Sequence, residues 1–149
     1  MTTIAFISGH LDVDEAFFTK YYKSSLDDAN KNMDNFIIGN AFGIDFLAFK
    51  YLLQIGVNPS RITVYCFNRS HDTSHYSASY YQELGVSTKE GFTGFMARDA
   101  QMTANSDYDI AVVRSEEETK KLYGSKYRKG RISGTQQNIN RRLKKNKLL

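Results

Sequence analysis

Four short apolar runs, spaced by longer stretches of mixed character, set the rhythm of this chain. Residues 4–8, 36–39, 62–67 and 109–113 are rich in β-branched and aromatic side chains and nearly free of charge. Such runs suit strands buried on both faces of a parallel sheet. Between the first two, residues 12–30 read as a helix, with Asp12 as its N-cap and Glu15 three positions on, the carboxylate–Glu spacing of a capping box. Residues 44–55 place Ile44, Leu47, Ala48, Tyr51, Leu52 and Ile55 on one helical face, and Gly56 followed by Pro59 marks the stop. Further helices are predicted over residues 90–105 and from about Gly134 through the tail. Residues 114–132 show little apolar periodicity and several Gly and Ser turns, which predicts a long mobile loop.

Strands alternating with helices predict right-handed crossovers. The expected fold class is α/β: a Rossmann-like, doubly wound parallel sheet of four or five strands in a single domain, residues 1–149. The basic loop and C-terminal helix would take up about residues 114–149. Four strands would leave a vulnerable edge, so either a homo-oligomer or an extra strand without an obvious signal is expected.

Composition narrows the class. A chain of 149 residues suits one domain and is long enough to bury a core, and 41% hydrophobic residues with a single Pro argue against disorder. No apolar run approaches the roughly 18 residues of a membrane helix, and the start, MTTIAFISGH, lacks the features of a signal peptide. Cys66 is the only cysteine, which excludes an internal disulfide framework and a multi-cysteine metal site. A cytoplasmic protein with no membrane partner is expected. Charge is segregated: residues 1–118 hold nine Lys/Arg and all sixteen Asp/Glu, whereas residues 119–149 hold eleven Lys/Arg and no acid. Such a block attracts anions over a distance, whether phosphate, nucleic acid or an acidic partner.

The candidate chemistry follows the strands. Ser8-Gly9-His10 succeeds the first strand, and Gly39-Asn40-Ala41-Phe42-Gly43 succeeds the second. Open α/β sheets bind ligands at such strand-to-helix turns, where glycine lets an anion approach the backbone and helix N–H groups point at it. Ser133-Gly134-Thr135 is a third such turn, ahead of a helix and surrounded in sequence by Arg128, Lys129, Arg131, Arg141 and Arg142. The plain alternative is that Ser133 caps the helix. Arg98 beside Asp99 reads either as a surface ion pair or as a bidentate clamp for phosphate or ribose. Asp45 falls in the first turn of its helix, where the dipole stabilises a carboxylate. His10, His71 and His75 lack the spacing of a metal site, so no metal or cofactor is expected. Ser8 and Cys66 have no general base nearby in sequence, which leaves nucleophilic catalysis without support. Tyr76, Tyr80 and Tyr81 read as packing residues, with one of them stacked over a base as the alternative.

With these turns in hand, the chain resembles the SLOG superfamily, which groups the DNA-processing protein DprA (Smf) with the Lonely guy (LOG) nucleotide phosphoribohydrolases. GNAFGIDFLAFKYLL is similar to the DprA-type turn and helix, RDAQMTANSDYDIAVV to the LOG-type helix–strand unit, and SGTQQNI to the phosphate-binding helix start of the group. The resemblance runs nearly to Arg142. It implies that Gly39, Gly43, Ser133, Gly134 and Thr135 line a phosphate pocket and that Arg98 contacts the nucleotide. The pattern departs at Asn138, which stands where LOG enzymes carry a glutamate that helps cleave the N-glycosidic bond. Asn can neither act as a general base nor steady an oxocarbenium-like centre by charge.

The leading expectation is a protein that binds a phosphorylated nucleotide or nucleotide-derived ligand as a sensor, carrier or sequestering protein. The alternative is a nucleoside monophosphate N-glycosidase or deoxyribosyltransferase-like enzyme, with Arg98 and Glu116 as catalytic residues and Asp45 or Asp99 as other acids. A further alternative is DprA-like binding of single-stranded DNA through the basic C-terminal segment. It would weaken steeply with salt.

Overall fold

Five strands form one all-parallel sheet: β1 (Ile4–Ser8), β2 (Asn35–Gly39), β3 (Ile62–Tyr65), β4 (Ser87–Lys89) and β5 (Tyr108–Ala111). Their spatial order is β4-β3-β2-β1-β5. The helices are α1 (Glu15–Tyr21), α2 (Lys23–Lys31), α3 (Ile44–Gln54), α4 (Ala78–Glu83), α5 (Phe95–Ala104), α6 (Glu116–Tyr123) and α7 (Gly134–Lys147). The computed structural model describes residues 2–147, so Met1, Leu148 and Leu149 of the expected domain lie outside the described residues.

Strand alternation sorts the core into two layers. Ala5 and Ile7, Phe36 and Ile38, and Ile62 and Val64 pack on one face against Tyr22, Leu26, Ala48, Leu52 and Tyr81. Phe6, Ile37 and Tyr65 point to the other face and meet Met102 of α5. Burying a side chain such as Phe6 or Ile38 contributes about 1.5–3 kcal/mol each, so both faces of the sheet are committed. This is a Rossmann-like α/β fold with helices on both sides. No helix among the described residues is long and apolar enough to cross a membrane.

Several elements depart from the sequence expectation. The stretch 12–30 is not one helix but two, because the chain breaks at Tyr22, whose fully buried ring and hydroxyl are drawn into the sheet. Its cap is Asp14, which accepts from the Phe17 N–H at 2.9 Å, while Asp12 is engaged elsewhere. The helix of 44–55 ends at Gln54, and its buried face is Ile44, Asp45, Ala48, Phe49 and Leu52, with Leu47, Tyr51 and Ile55 half-buried. The third strand stops at Tyr65, the last runs over Tyr108–Ala111, and the helix expected from 90 starts at Phe95.

The four-strand sheet gains an edge from β4, a polar Ser-Thr-Lys segment paired only with β3. A short, lysine-bearing strand is a natural way to end a sheet without inviting further pairing. The loop expected over 114–132 contains α6. Ser115 and Glu118 close a capping box, three glutamates sit in the first turn, and Lys120 and Lys121 in the last. That charge order complements the helix dipole and stabilises a helix with almost no buried face.

Candidate functional site

The strand order reverses between β1 and β5: the first four strands step outward one way, and α5 carries the chain back across β1. Loops after two such strands diverge and leave a crevice at their carboxyl ends. Pairing of β1 with β5 ends at Ser8 opposite Ala111. One step beyond, the Tyr22 hydroxyl bridges the splayed strands, donating to the Ser8 carbonyl at 2.8 Å and accepting from the Val112 N–H at 2.9 Å. Burial pushes the Tyr22 hydroxyl far above its usual titration range, so the bridge stays neutral.

A cavity of about 990 Å³ opens over this crevice. From the predicted set, Ser8, Gly9, His10, Gly39, Asp45 and Arg98 line it from the sheet side. Ser133, Gly134, Thr135 and Asn138 line it from the start of α7, and Glu116 from α6. Asn40 and Gly43 are not on its wall. Asn40 is fully buried and saturated: Nδ2 donates to Asn68 Oδ1 at 2.9 Å and to the Tyr76 carbonyl at 2.6 Å, and Oδ1 accepts from Phe67 N and Arg98 Nη1. Its role is to hold Arg98.

Gly43 works from behind. Its φ of 72° lies in the left-handed region, and a Cβ there would run into the carbonyl oxygens of His10 and Leu11. The His10 carbonyl also accepts from the Ile44 N–H at 3.1 Å, so this one contact seats the β1 turn on the start of α3. Gly43→Val is expected to cost about 2 kcal/mol through overpacking. Thermal unfolding is the check, and a wild-type melting curve would contradict the packing described.

Arg98, buried in mid-α5, is gripped on both sides. Its Nε donates to Asp99 Oδ1 at 3.0 Å and its Nη1 to Asn40 Oδ1 at 2.9 Å, while the guanidinium lies over the Phe95 ring. It is therefore a buried ion pair rather than the surface pair that sequence spacing allows. Asn138 Nδ2 donates to Asp99 Oδ2 at 3.3 Å, and Arg141 donates to Asn138 Oδ1. Asp45 accepts only from the Ala41 N–H, at 3.3 Å. Burial pushes its carboxyl up to about 7, with Arg98 pulling it down and Asp99 adding to the rise.

His10 and Ser133 are already in use. His10 Nε2 accepts from the Arg114 N–H at 3.0 Å; burial and then Arg114 hold its pKa below the usual value, which keeps the ring neutral. Ser133 Oγ accepts from the Gln136 N–H at 3.1 Å, the capping role. Glu116 is exposed on the rim, and the Tyr127 hydroxyl at 2.6 Å, with Lys120 behind it, holds its carboxylate below the usual range. Arg142 does not surround the α7 turn: it faces the sheet and pairs with Asp109.

Two buried polar atoms on the cavity's lining residues have no hydrogen bond from the protein, Ser8 Oγ and Arg114 Nε. Arg114 was not singled out by its sequence, nor were Arg69 and Phe95, and His75 was weighed only as a metal ligand. Phe95 opens α5, with His75 stacked on it at 4.7 Å and 20° and Arg69 over its ring at 4.7 Å. His75 Nδ1 meets both Asp72 Oδ2 at 3.0 Å and Ser74 Oγ at 2.8 Å. Because Ser74 and Asp72 share one ring nitrogen, this trio is not laid out for serine activation, which needs them on opposite nitrogens. The Asp72–x–x–His75 spacing in SHDTSH was the available signal. No group of three or more His, Cys, Asp or Glu among the described residues could hold a metal ion.

Fold and cavity together define a Rossmann-like α/β protein whose crossover crevice is lined by glycine turns, a helix start and unpaired donors. No family model, curated protein or solved structure matches the chain.

Proposed function

We propose that the protein binds a phosphorylated nucleotide or nucleotide-derived ligand in this cavity, as a sensor, carrier or sequestering protein. One observation carries the reading: Ser8, at the end of β1, and Arg114, just beyond β5, each hold a buried polar atom without a partner among the described residues, Oγ and Nε. A buried polar atom left unsatisfied costs about 1–3 kcal/mol, and a rotation of either side chain toward an anion in the cavity would recover it. The Gly134 and Thr135 amides at the start of α7 offer dipole support to the same group. The Phe95–His75 stack on the wall suits a flat base, and the cavity has the size of a small-molecule site. The resemblance to the SLOG superfamily points the same way.

The enzyme reading has one feature in its favour. Asp45 holds a proton near neutral pH, as a general acid for glycosidic cleavage must. Glu116, an exposed and readily ionised carboxylate, is less suited to that step than Asp45.

The test is a panel of nucleoside monophosphates, read by thermal unfolding and by chromatography for released base. A ligand at about a hundred times its Kd stabilises by about 2.7 kcal/mol, which for a domain of this size is roughly 5–10 °C. Such a rise without base release is the expected result. Base release lost in Asp45→Asn but kept in Asn138→Ala would favour the enzyme. Absence of any shift across the panel would sink the binding reading.

A further inference from the structure

We infer that the ligand of this cavity carries a chain of two or more phosphates, its distal phosphates facing Lys126, Arg128, Lys129 and Arg131. The inference rests on the nucleotide reading above and adds the ligand's charge.

Positive charge on the cavity wall exceeds what the wall itself can neutralise. Its acids are accounted for: Asp12 pairs with Arg114 at 2.5 Å, Asp99 with Arg98 at 3.0 Å, and Glu116 with Lys120 at 3.6 Å. Asp45 is buried and neutral over much of the range below pH 7. Lys126, Arg128, Lys129 and Arg131 line the same cavity and pair with no carboxylate among the described residues. Four like charges on exposed residues within six positions repel one another. A single phosphate, with at most two negative charges, is already served by the amides at the α7 start, where the helix dipole is positive. The surplus on the same cavity therefore matches further anionic groups beyond the first.

A nucleic-acid strand is the competing polyanion, and the C-terminal helix argues against it. Arg142 is spent on Asp109 and Ser106, Lys145 on the carbonyls of Thr103, Ala104 and Ser106, and Arg141 on Asn138. The basic helix is thus docked inward and offers no continuous stripe for a backbone to follow. Lys144 and Lys147 stay exposed on α7, whereas Lys126, Arg128, Lys129 and Arg131 line one concavity.

The experiment measures Kd for the mono-, di- and triphosphates of the four common ribonucleosides, and for a single-stranded DNA 20-mer, at fixed low salt. Affinity is expected to rise about tenfold per added phosphate, since charge-assisted contacts accumulate. In the quadruple variant Lys126→Gln, Arg128→Gln, Lys129→Gln, Arg131→Gln, the triphosphate-to-monophosphate ratio is expected to fall from about a hundredfold to under fivefold. All four residues are exposed or half-buried, and the variant's melting temperature reports that it folds. Mono- and triphosphates binding equally well would overturn this inference and leave the nucleotide reading standing. No nucleotide binding at all would remove both, as would DNA affinity that exceeds every nucleotide and vanishes in the variant.

Discussion

Replacing Arg142 with methionine is expected to cost about 3–5 kcal/mol of stability, roughly 10–15 °C of melting temperature for a domain of this length. The guanidinium is buried against the sheet. Nε donates to Asp109 Oδ1 at 3.1 Å, Nη1 to the Ser106 carbonyl at 2.9 Å, and Nη2 to Ser106 Oγ. Asp109, on β5, is almost as enclosed, and its Oδ2 has no partner. Burial pushes its carboxyl up and only Arg142, helped by Lys145, restrains it. Methionine fills the space of the stem but leaves that carboxylate without its counter-charge. The loss comes from the stranded acid, not from the value of the pair itself.

A second substitution separates these causes. Arg142→Met with Asp109→Leu removes both charges and is expected to recover most of the loss in urea or thermal unfolding. The pair also holds α7 against β5, and α7 with its cap Ser133 supplies Gly134, Thr135 and Asn138 to the cavity. If the proposed nucleotide site is real, Arg142→Met should weaken nucleotide-induced stabilisation although the residue is not on the wall. Unchanged unfolding of the single variant would mean that α7 is not clamped there.

Arg142 also marks the limit of what the sequence could reveal. Four strands and the helices at 44 and 134 were legible because buried parallel strands and glycine stops leave unambiguous local marks. Glycine turns read from Gly9, Gly39 and Gly134 do face one cavity, because a parallel sheet delivers all its carboxyl ends to one edge. What escaped was decided by partners far along the chain. β4 is polar because it is an edge, so periodicity is silent on it. α6 is held by caps and charge order, signals present in Ser115 and Glu118 but masked by the lack of an apolar face. Asp12 has N-cap spacing, yet Arg114 and the Tyr123 hydroxyl claim it from more than a hundred positions away. Arg98 and Asn138 were found by motif, while Asn40's saturation and Arg114's unpaired Nε needed the fold.

Asp45→Asn is expected to make the protein more stable by about 2–4 kcal/mol near pH 8, and to change it little near pH 4. Burial raises the folded-state carboxyl to about 7, while the unfolded chain keeps the ordinary value near 4. Between those two values the native state holds a proton that the unfolded state has released, so stability falls as pH rises through this window and levels off above it. Asparagine is neutral throughout and escapes the penalty, which grows by about 1.4 kcal/mol for each pH unit crossed within the window. Thermal unfolding of both proteins from pH 4 to 8.5 should therefore give curves that meet at the acid end and diverge towards neutrality. Because Asp45 lines the cavity, an incoming phosphate would raise its pKa further, so binding should take up a proton. On the proposed nucleotide reading, Asp45→Asn relative to wild type should then bind a nucleotide more tightly at pH 8 than at pH 6, with calorimetry in buffers of different ionisation heat reporting the missing proton. Parallel stability curves would show that Asp45 is ionised in the folded protein and remove the physical basis for both effects.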